Sequence, residues 1–301
     1  MRPRKRDSVK TWSTPRATES ARFIPCALCG GRNFLPDLDC GGFGFVRCSD
    51  CGLLQSNPQS DSAEVRARYG ERHGEDYLAY ELANEAPFLR LQQLALSDAG
   101  FDRIEAEARK KAAPSAPKVL DVGCATGALL ETLRARGWDC SGVELCGESA
   151  AWAREKRCLD VRSLPIEEAR YPGGSFDLVH ASHLIEHLNE PRSFLRESLR
   201  VLKKDGILLL TTPNADGLQA RLFGSAWRSA IFDHLYLFSR STIRALLESE
   251  GFGVEKIVTW GGLAAGTAPR PIKALADRAA KRFSFGDVML ILSRARADHS
   301  P

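Results

Sequence analysis

The stretch Val119-Leu-Asp-Val-Gly-Cys-Ala-Thr-Gly-Ala128 decides the fold of this chain. It begins as an apolar β-strand and continues as a turn of small residues, and the helical pattern that follows is closed by Gly137. Gly123 and Gly127 permit a tight turn and let a ligand approach the backbone amides closely. The first N–H groups of the helix can receive a polar ligand. The stretch therefore predicts a Rossmann-like strand–turn–helix unit with a ligand at the turn.

The alternation of strands and helices continues toward the C-terminus. Repeated units of this kind predict an α/β fold with a mostly parallel, doubly wound sheet. Segments 213–238 and 259–284 interrupt the alternation, as insertions that build substrate walls do. Strands are predicted at residues 118–121, 140–144, around 161, 175–180, 206–212, 252–258 and 287–292, and helices at residues 128–136, 148–156, 191–202 and 241–250.

Two acidic side chains indicate which ligand the turn would bind. Asp121 precedes the first glycine, where a carboxylate would repel a pyrophosphate but attract an ammonium or sulfonium group. Glu144 ends the next strand and could accept two hydrogen bonds from ribose hydroxyls. The nicotinamide fingerprint G-x-G-x-x-G is absent from the turn. The pattern favours S-adenosylmethionine, with another nucleotide, a site that has lost its ligand, or two solvated carboxylates as the alternatives.

The turn resembles the first motif of class I methyltransferases, acidic-x-G-x-G-x-G, with Ala125 in place of the middle glycine. Further motifs follow in the order found in relatives of ubiquinone-biosynthesis O-methyltransferase. The resemblance covers about residues 118–258 and implies S-adenosylmethionine as cofactor, lying over the C-terminal ends of the strands. It also implies a seven-stranded sheet whose last strand is antiparallel. The further motifs are Gly142–Glu144, Leu164–Glu168, Gly174–Val179, Ile185–Leu188 and His234–Ser239.

The resemblance also implies how the cofactor would be held. The acid and first glycine of the first motif would hold the methionine part, and Glu144 would bind the ribose. Residues 166–167 would lie by the adenine, and residues 182–183 beneath the reactive end. The cofactor-binding residues expected on this basis are Asp121, Gly123, Cys124, Gly127, Glu144, Leu145, Ile166, Glu167, Ser182 and His183.

Three histidines are candidate catalytic residues. His183 and His187 are four residues apart, so on a helix they would share one face. An imidazole titrates near neutral pH, so His187, His183 or the more distant His234 could deprotonate an acceptor hydroxyl. Together with Glu186 the cluster could instead bind a divalent metal, as similar Glu/His clusters do in relatives of the quinone O-methyltransferases. In a third reading, Glu186 and His187 only orient the loop by internal hydrogen bonds.

Four cysteines near the N-terminus have the spacing of a zinc ribbon. Cys26 and Cys29 form one C-x-x-C pair and Cys48 and Cys51 another, each followed by glycine and separated by residues 30–47. Two such pairs can place four thiolates in a closed, tetrahedral, structural Zn²⁺ site. A redox pair or free thiols are the alternatives, and Cys40 has no partner of the same kind.

These signals divide the chain into four parts. Residues 1–24 are predicted to be a disordered basic tail, and residues 25–58 the zinc ribbon. Residues 59–113 are helical and, by the resemblance, would form a lid over the cofactor, although a plain packing or linker role is an equal alternative. Residues 114–301 would form the methyltransferase domain.

Composition narrows the compartment and the class of acceptor. The apolar runs fall far short of the ~20 residues that span a bilayer, and no apolar segment follows the basic N-terminus. We therefore expect a cytoplasmic protein without a membrane partner. A net charge of +4 is too small to argue for nucleic acid by itself.

The expected function is methyl transfer from S-adenosylmethionine to an oxygen or carbon of a small metabolite, such as a sugar or a secondary-metabolite intermediate. One alternative is an RNA methyltransferase whose ribbon holds RNA, and another is a non-catalytic zinc-ribbon adaptor. The ribbon favours a small acceptor because it is not conspicuously basic, and its aromatic residues can form its own core.

Overall fold

The computed structural model describes residues 22–69, 74–262 and 269–296. Residues 1–21 of the predicted tail, 1–24, therefore lie outside the described residues. At the described end of that segment, Arg22 pairs with Gln59 in an antiparallel bridge. Within the described ranges, no helix has both the length and the apolar character needed to cross a membrane.

A small antiparallel sheet carries the two cysteine pairs. Its first three strands are β1 (Phe34–Asp39), β2 (Gly44–Cys48) and β3 (Leu54–Ser56). The turn after each first cysteine has the same form, because Gly30 N donates to Cys26 O at 2.8 Å and Gly52 N donates to Cys48 O at 2.9 Å. The duplicated sequence pattern thus folds as a duplicated turn.

Three helices connect this sheet to the central domain. The second is long and ends at Ala99, and the φ of 80° at the next residue, Gly100, permits a sharp change of direction before the third. The third ends next to Pro114, which cannot continue a helix. The helices are α1 (Ser62–Tyr69), α2 (Gly74–Ala99) and α3 (Phe101–Ala112).

The central domain alternates strands and helices, as the sequence pattern predicts. Its first part contains β4 (Lys118–Val122), α4 (Ala128–Ala135), β5 (Asp139–Val143), α5 (Gly147–Arg157), β6 (Asp160–Arg162), β7 (Phe176–Ser182), α6 (Pro191–Val201) and β8 (Leu202–Pro213). Its second part contains α7 (Leu218–Phe223), β9 (Tyr236–Leu237), α8 (Arg240–Ser249), β10 (Phe252–Trp260), α9 (Arg270–Phe283) and β11 (Val288–Ala295).

The central sheet has seven strands in the order β10-β11-β8-β7-β4-β5-β6. The strands from β8 to β6 pair in parallel, whereas β11 is antiparallel to both of its neighbours. This confirms the predicted Rossmann-like sheet and its antiparallel last strand. The chain order reverses between β4 and β7, and open sheets bind ligands in the crevice at such a point.

The strand predicted at residues 206–212 is longer in the structure. It begins at Leu202, which pairs with Phe176 of β7 after a register shift. The added residues include the exposed Lys204 and Asp205, which hide the strand from a reading based on hydrophobic runs. Backbone pairing with a neighbouring strand, rather than side-chain character, extends it.

The core lies on both faces of the sheet. Val119 and Leu120 are both fully buried, yet adjacent residues of a strand point to opposite faces, so each joins a different hydrophobic cluster. Burying one such side chain contributes about 1.5–3 kcal/mol. The continuous apolar strands of the sequence therefore reflect a sheet covered by helices on both sides.

The cysteine-bearing sheet is joined to the central domain. Strand β9, from the inserted segment 213–238, becomes its fourth strand by pairing with β3, so that Leu54 lies beside Leu237. Cys26, Cys48 and Leu53 also belong to the same hydrophobic cluster as the strands of the central sheet. The ribbon therefore shares its sheet and its core with the rest of the molecule.

Candidate functional site

The turn after β4 adopts left-handed backbone conformations. The φ angles are +74° at Gly123, +46° at Ala125 and +80° at Gly127. A Cβ on Gly127 would lie only 2.5 Å from Cδ1 of Leu159. Glycine is thus needed at residue 127 for both conformation and space. Ala125, at the usual position of the middle glycine, takes a left-handed φ that is uncommon for a residue with a side chain.

Glu144 holds the turn against the end of β5. Its two carboxylate oxygens accept hydrogen bonds from Ala125 N at 2.9 Å and from Cys146 N at 2.8 Å. Each oxygen can accept a second hydrogen bond, so two hydroxyl groups of a ligand can still bind. Burial raises the pKa of Glu144, and the nearby Asp121 adds to that rise, whereas the backbone N–H groups oppose it. The carboxylate therefore organises the turn and still offers acceptor positions.

Asp121 is paired with a histidine that the sequence reading missed. It lies directly beside His180 of β7, and both side chains are buried. His180 Nδ1 is 2.6 Å from Oδ1 of Asp121. The available signal was a histidine in the interior of a strand predicted to be buried, where a ring nitrogen needs a polar partner.

Helix α2 contributes acidic side chains above the turn, which were also missed. Glu85 accepts hydrogen bonds from Thr126 Oγ1 at 2.6 Å and from Arg157 Nη2 at 2.8 Å, and so links α2 to the turn and to α5. One helical turn earlier, Glu81 lies in the field of Glu144. Burial, together with this negative charge, raises the pKa of Glu81 to about 7. The turn therefore lies beneath a helix that carries two carboxyl groups.

The remaining predicted cofactor residues lie along the same edge of the sheet. Leu145 follows β5 and is half-buried, whereas Cys124 in the turn is buried. Ile166 is buried and Glu167 is exposed in a short 3₁₀ turn after β6, and Ser182 ends β7. Because the carboxyl ends of parallel strands meet at one edge, the structure brings the predicted set together.

The prediction that His183 and His187 share a helix face is wrong. His183 has a φ of +51°, and only Ile185–His187 form a 3₁₀ turn. His183 Nδ1 instead lies 3.2 Å from Oε1 of Glu186, while its side chain is 40% exposed. His183 therefore lies outside the 3₁₀ turn, and the Nδ1 atoms of the two imidazoles bond to different partners, Glu186 and Asp233 O.

His187 and His234 form a second pair behind Glu186. Their rings meet edge to face with centroids 4.6 Å apart. His187 Nδ1 donates to Asp233 O at 2.9 Å, and His234 Nδ1 donates to Ser229 O at 2.7 Å. Burial, then the neighbouring His187, lowers the pKa of His234 to about 3, so this ring stays neutral near neutral pH.

Glu186 is a buried carboxylate held by several donors. Besides His183, Thr212 Oγ1 donates to its Oε2 at 3.0 Å. Burial alone would raise its pKa, but the hydrogen bond from His183 and the neighbouring imidazoles outweigh burial and lower it to about 2. One ligand atom each from Glu186, His187 and His234 lie within 4.8 Å of one another, so these three residues could also hold a metal ion.

The four cysteines of the small sheet converge. Cys26 Sγ lies 3.4 Å from Cys51 Sγ, and Cys29 Sγ lies 3.5 Å from Cys48 Sγ. All four sulfur atoms lie within 4.8 Å of one another. Cys40 is separate, because its thiol points to Ser225 O at 3.9 Å. The four cysteines that cluster in the structure are therefore the same four that the sequence spacing predicts to bind a metal ion.

A family model described as "methyltransferase domain" matches residues 90–257, more than half of the chain. The ubiquinone biosynthesis O-methyltransferase of Rhodopseudomonas palustris is 31% identical over 137 residues, covering 43% of this chain and 54% of that protein. The enzyme of the same name from Idiomarina loihiensis is 34% identical over 103 residues, covering 32% of this chain and 42% of that protein. The chain thus spans about half the length of the curated relatives it matches.

Solved structures share the fold at low sequence identity. A chain from the Haloferax volcanii complex that contains the Trm112 methyltransferase activator superposes with a TM-score of 0.53 and 16% identity. The superposition covers 73% of this chain and 97% of that one. At this identity the likeness shows the architecture alone.

Proposed function

Because this chain belongs to the methyltransferase-domain family of class I S-adenosylmethionine-dependent methyltransferases, we propose that it methylates an oxygen or carbon atom of a small metabolite. The observation that carries the proposal is the pair of buried carboxylates, Asp121 and Glu144, on either side of a left-handed glycine turn. One carboxylate suits a cationic amino-acid group and the other suits a ribose diol.

The bound cofactor would supply a methyl group already activated by its sulfonium. The protein then has to hold this ligand, align the acceptor atom and exclude water. Asp121 and Glu144 would hold the two polar ends of the cofactor. The left-handed turn at Gly123 would let the cofactor approach the backbone closely. Helix α2 would act as the lid, since Glu85 already joins it to Thr126 of the turn.

Among the three candidate histidines, we assign the proton-accepting role to His183. Its Nδ1–H donates to the buried Glu186, which leaves Nε2 as the basic nitrogen of a side chain that is 40% exposed. His234 is a poor base, because its pKa of about 3 is too low to hold a proton at neutral pH. His187 and His234 would support the loop through their bonds to backbone carbonyls.

A structural zinc ion would complete the ribbon. In a tetrahedral site with Zn–S bonds of about 2.3 Å, neighbouring sulfur atoms are ~3.8 Å apart. The two closest sulfur pairs here, at 3.4 and 3.5 Å, are near that distance. Gly31 N lies 3.4 Å from Cys29 Sγ, as a backbone donor to a thiolate does. The four cysteines would use all the positions of a closed site, so the ion would stabilise the fold and take no part in transfer.

The ribbon favours a small acceptor over RNA. Phe45 is buried, and the ring of Phe43 packs edge-on against Phe45 at 6.2 Å and Phe232 at 5.7 Å. Phe34 packs against the main core. Aromatic faces used in this way are not available to stack on bases. The ribbon would therefore support the inserted segment 213–238 that borders the histidines.

Calorimetry with S-adenosylhomocysteine tests the cofactor site. The wild-type protein should bind it, and Asp121→Asn should weaken binding more than tenfold, because a neutral amide loses the charge that attracts the ammonium group. Asp139→Asn, an exposed acid at the opposite end of β5, is the matched control and should change affinity less than twofold. A folded wild-type protein that binds no cofactor would instead support the non-catalytic adaptor.

Methyl transfer to a panel of hydroxyl-bearing and carbon-nucleophile metabolites, followed with isotope-labelled cofactor, tests the acceptor class. Labelled small-molecule product is the expected result. RNA would be the acceptor if label entered RNA, and if RNA binding weakened steeply with added salt, as contacts to phosphates require.

A further inference from the structure

Two buried side chains pair across the central sheet at the edge of the cofactor turn. Asp121 and His180 are direct neighbours on the parallel strands β4 and β7, so their side chains lie on the same face. They are 1% and 0% exposed, and His180 Nδ1 is 2.6 Å from Asp121 Oδ1. Both residues lie within strands of the central sheet, outside its loops.

The pair leaves one polar atom on each side chain without a partner. Neither Asp121 Oδ2 nor His180 Nε2 has a hydrogen-bond partner among the residues that the structure describes. A buried polar atom left in this way costs free energy, so a native protein that retains one calls for an explanation. Burial is the main cause that raises the pKa of Cys124 and of Glu144, and the negative charge of Asp121 raises both further. The charge of Asp121 therefore acts at the turn.

We propose that His180 is a positioning residue for the cofactor, an inference that rests on the proposed function. Its Nδ1–H fixes Oδ1 of Asp121, so that Oδ2 is presented to the ammonium group of the cofactor's methionine part. The carboxylate can then neither rotate away nor use both oxygens elsewhere. This role concerns the amino-acid end of the ligand and leaves the adenosine end untouched.

Two amide substitutions separate positioning from packing. In His180→Asn the side-chain N–H group can replace Nδ1–H, whereas in His180→Gln the amide lies one bond farther along, near the position of Nε2. Both variants are neutral and polar. The two ligands are S-adenosylhomocysteine, which carries the amino-acid group, and 5′-methylthioadenosine, which lacks it.

Calorimetry should show His180→Asn within about twofold of wild type for both ligands. His180→Gln should bind S-adenosylhomocysteine roughly tenfold more weakly, the effect of about one lost charge-assisted hydrogen bond, and bind 5′-methylthioadenosine within about twofold of wild type. Equal losses for the two ligands, or equal behaviour of the Asn and Gln variants, would overturn the inference. If the wild-type protein bound neither ligand, the proposed function itself would fail.

A measurement on the wild-type chain keeps the inference testable should His180→Gln fail to fold. In protein labelled with ¹⁵N-histidine, the Nδ1 resonance of His180 should shift when S-adenosylhomocysteine binds and move far less with 5′-methylthioadenosine. Equal shifts with the two ligands would show that His180 does not report on the amino-acid end and would contradict the proposal.

Discussion

At the scale of single residues, Gly127 shows that the turn after β4 also packs closely against its neighbours. A Cβ there would meet Leu159 Cδ1 at 2.5 Å and Ala153 Cβ at 3.2 Å. The turn therefore depends on glycine both for its left-handed φ and for bringing α4 close to its neighbours. A glycine in such a motif can therefore be required both by the backbone conformation and by a close packing contact.

Gly127→Ala should destabilise the fold by about 2–3 kcal/mol, because it combines a strained φ with a collision inside a close-packed core. Urea denaturation measures the change. Gly174→Ala is the matched control, since Gly174 also has a positive φ but a Cβ there would have no atom within 4 Å. The control should lose only about 1 kcal/mol from strain. Equal losses in the two variants would show that the contact with Leu159 has no energetic weight.

His183→Gln should slow methyl transfer on the order of 10²–10⁴-fold, the usual contribution of a positioned general base. The measurement is the transfer rate to the acceptor found in the metabolite panel, alongside calorimetric affinity for S-adenosylhomocysteine. The affinity should change little, because Nε2 would face the acceptor. An equal loss of cofactor affinity and transfer would instead assign His183 to cofactor binding.

At the scale of elements, α2 places the carboxyl groups of Glu81 and Glu85 close to the turn after β4 and to Glu144. Glu85 forms an ion pair with the guanidinium of Arg157 and accepts a hydrogen bond from the hydroxyl of Thr126. Among the described residues no cation pairs with Glu81, and burial with the field of Glu144 raises its pKa to about 7. For the lid proposed above, closure would therefore depend on a proton at Glu81.

Closure of α2 should weaken as pH rises from about 5 to about 7. Burial and Glu144 raise the pKa of Glu81 from 4.5 to about 7 in the closed position, so closure takes up a proton across that window. Above pH 7 the closed position carries the full penalty of an ionised Glu81. Limited proteolysis within residues 74–99 measures how often the helix opens. The cleavage rate of the wild-type protein, divided by that of Glu81→Gln, should therefore be larger at pH 8 than at pH 6.

The exposed Glu75 lies at the start of the same helix, and Glu75→Gln is the control for a general effect of charge on α2. Its proteolysis ratio to wild type should stay constant between the two pH values. A constant ratio for Glu81→Gln as well would show that Glu81 does not govern closure.

At the scale of the whole molecule, the ribbon and the central domain share a sheet and a core, so we expect them to unfold together. Their shared features are the β3–β9 pairing and a hydrophobic cluster that includes Cys26 and Cys48. The inserted segment that supplies β9 also supplies His234, two residues before Tyr236. Loss of the ribbon should therefore disturb the histidine cluster as well as the N-terminal sheet.

Cys48→Ser should abolish zinc binding and lower the single thermal transition of the whole chain by roughly 10 °C, since loss of a structural zinc costs several kcal/mol. Metal analysis should find one zinc per wild-type chain. Cys40→Ser, outside the cluster, should keep both the zinc and the transition temperature. An unchanged main transition in zinc-free Cys48→Ser would make the ribbon an independent module. Two metal ions per wild-type chain would assign the second to Glu186, His187 and His234.

Local signals determined much of this protein from the sequence alone. The glycine turn at Gly123 and Gly127, the alternation of strands and helices, and the two cysteine pairs depend on backbone geometry or on short spacing, so they can be read without a fold. Their outcomes in the structure are the sheet with its antiparallel last strand and the convergence of four sulfur atoms.

Only the tertiary structure decided which distant residues meet. The pairing of Asp121 with His180 depends on the register between β4 and β7, which burial of both sheet faces sets and no local pattern encodes. Glu81 lies near Glu144 because helix packing brings α2 over the turn. His183 has a left-handed backbone and lies outside the 3₁₀ turn of His187, so the two imidazoles do not share the helix face that their spacing predicts. Contacts between residues far apart in sequence follow from packing the whole core, and this is why they appear only in the folded chain.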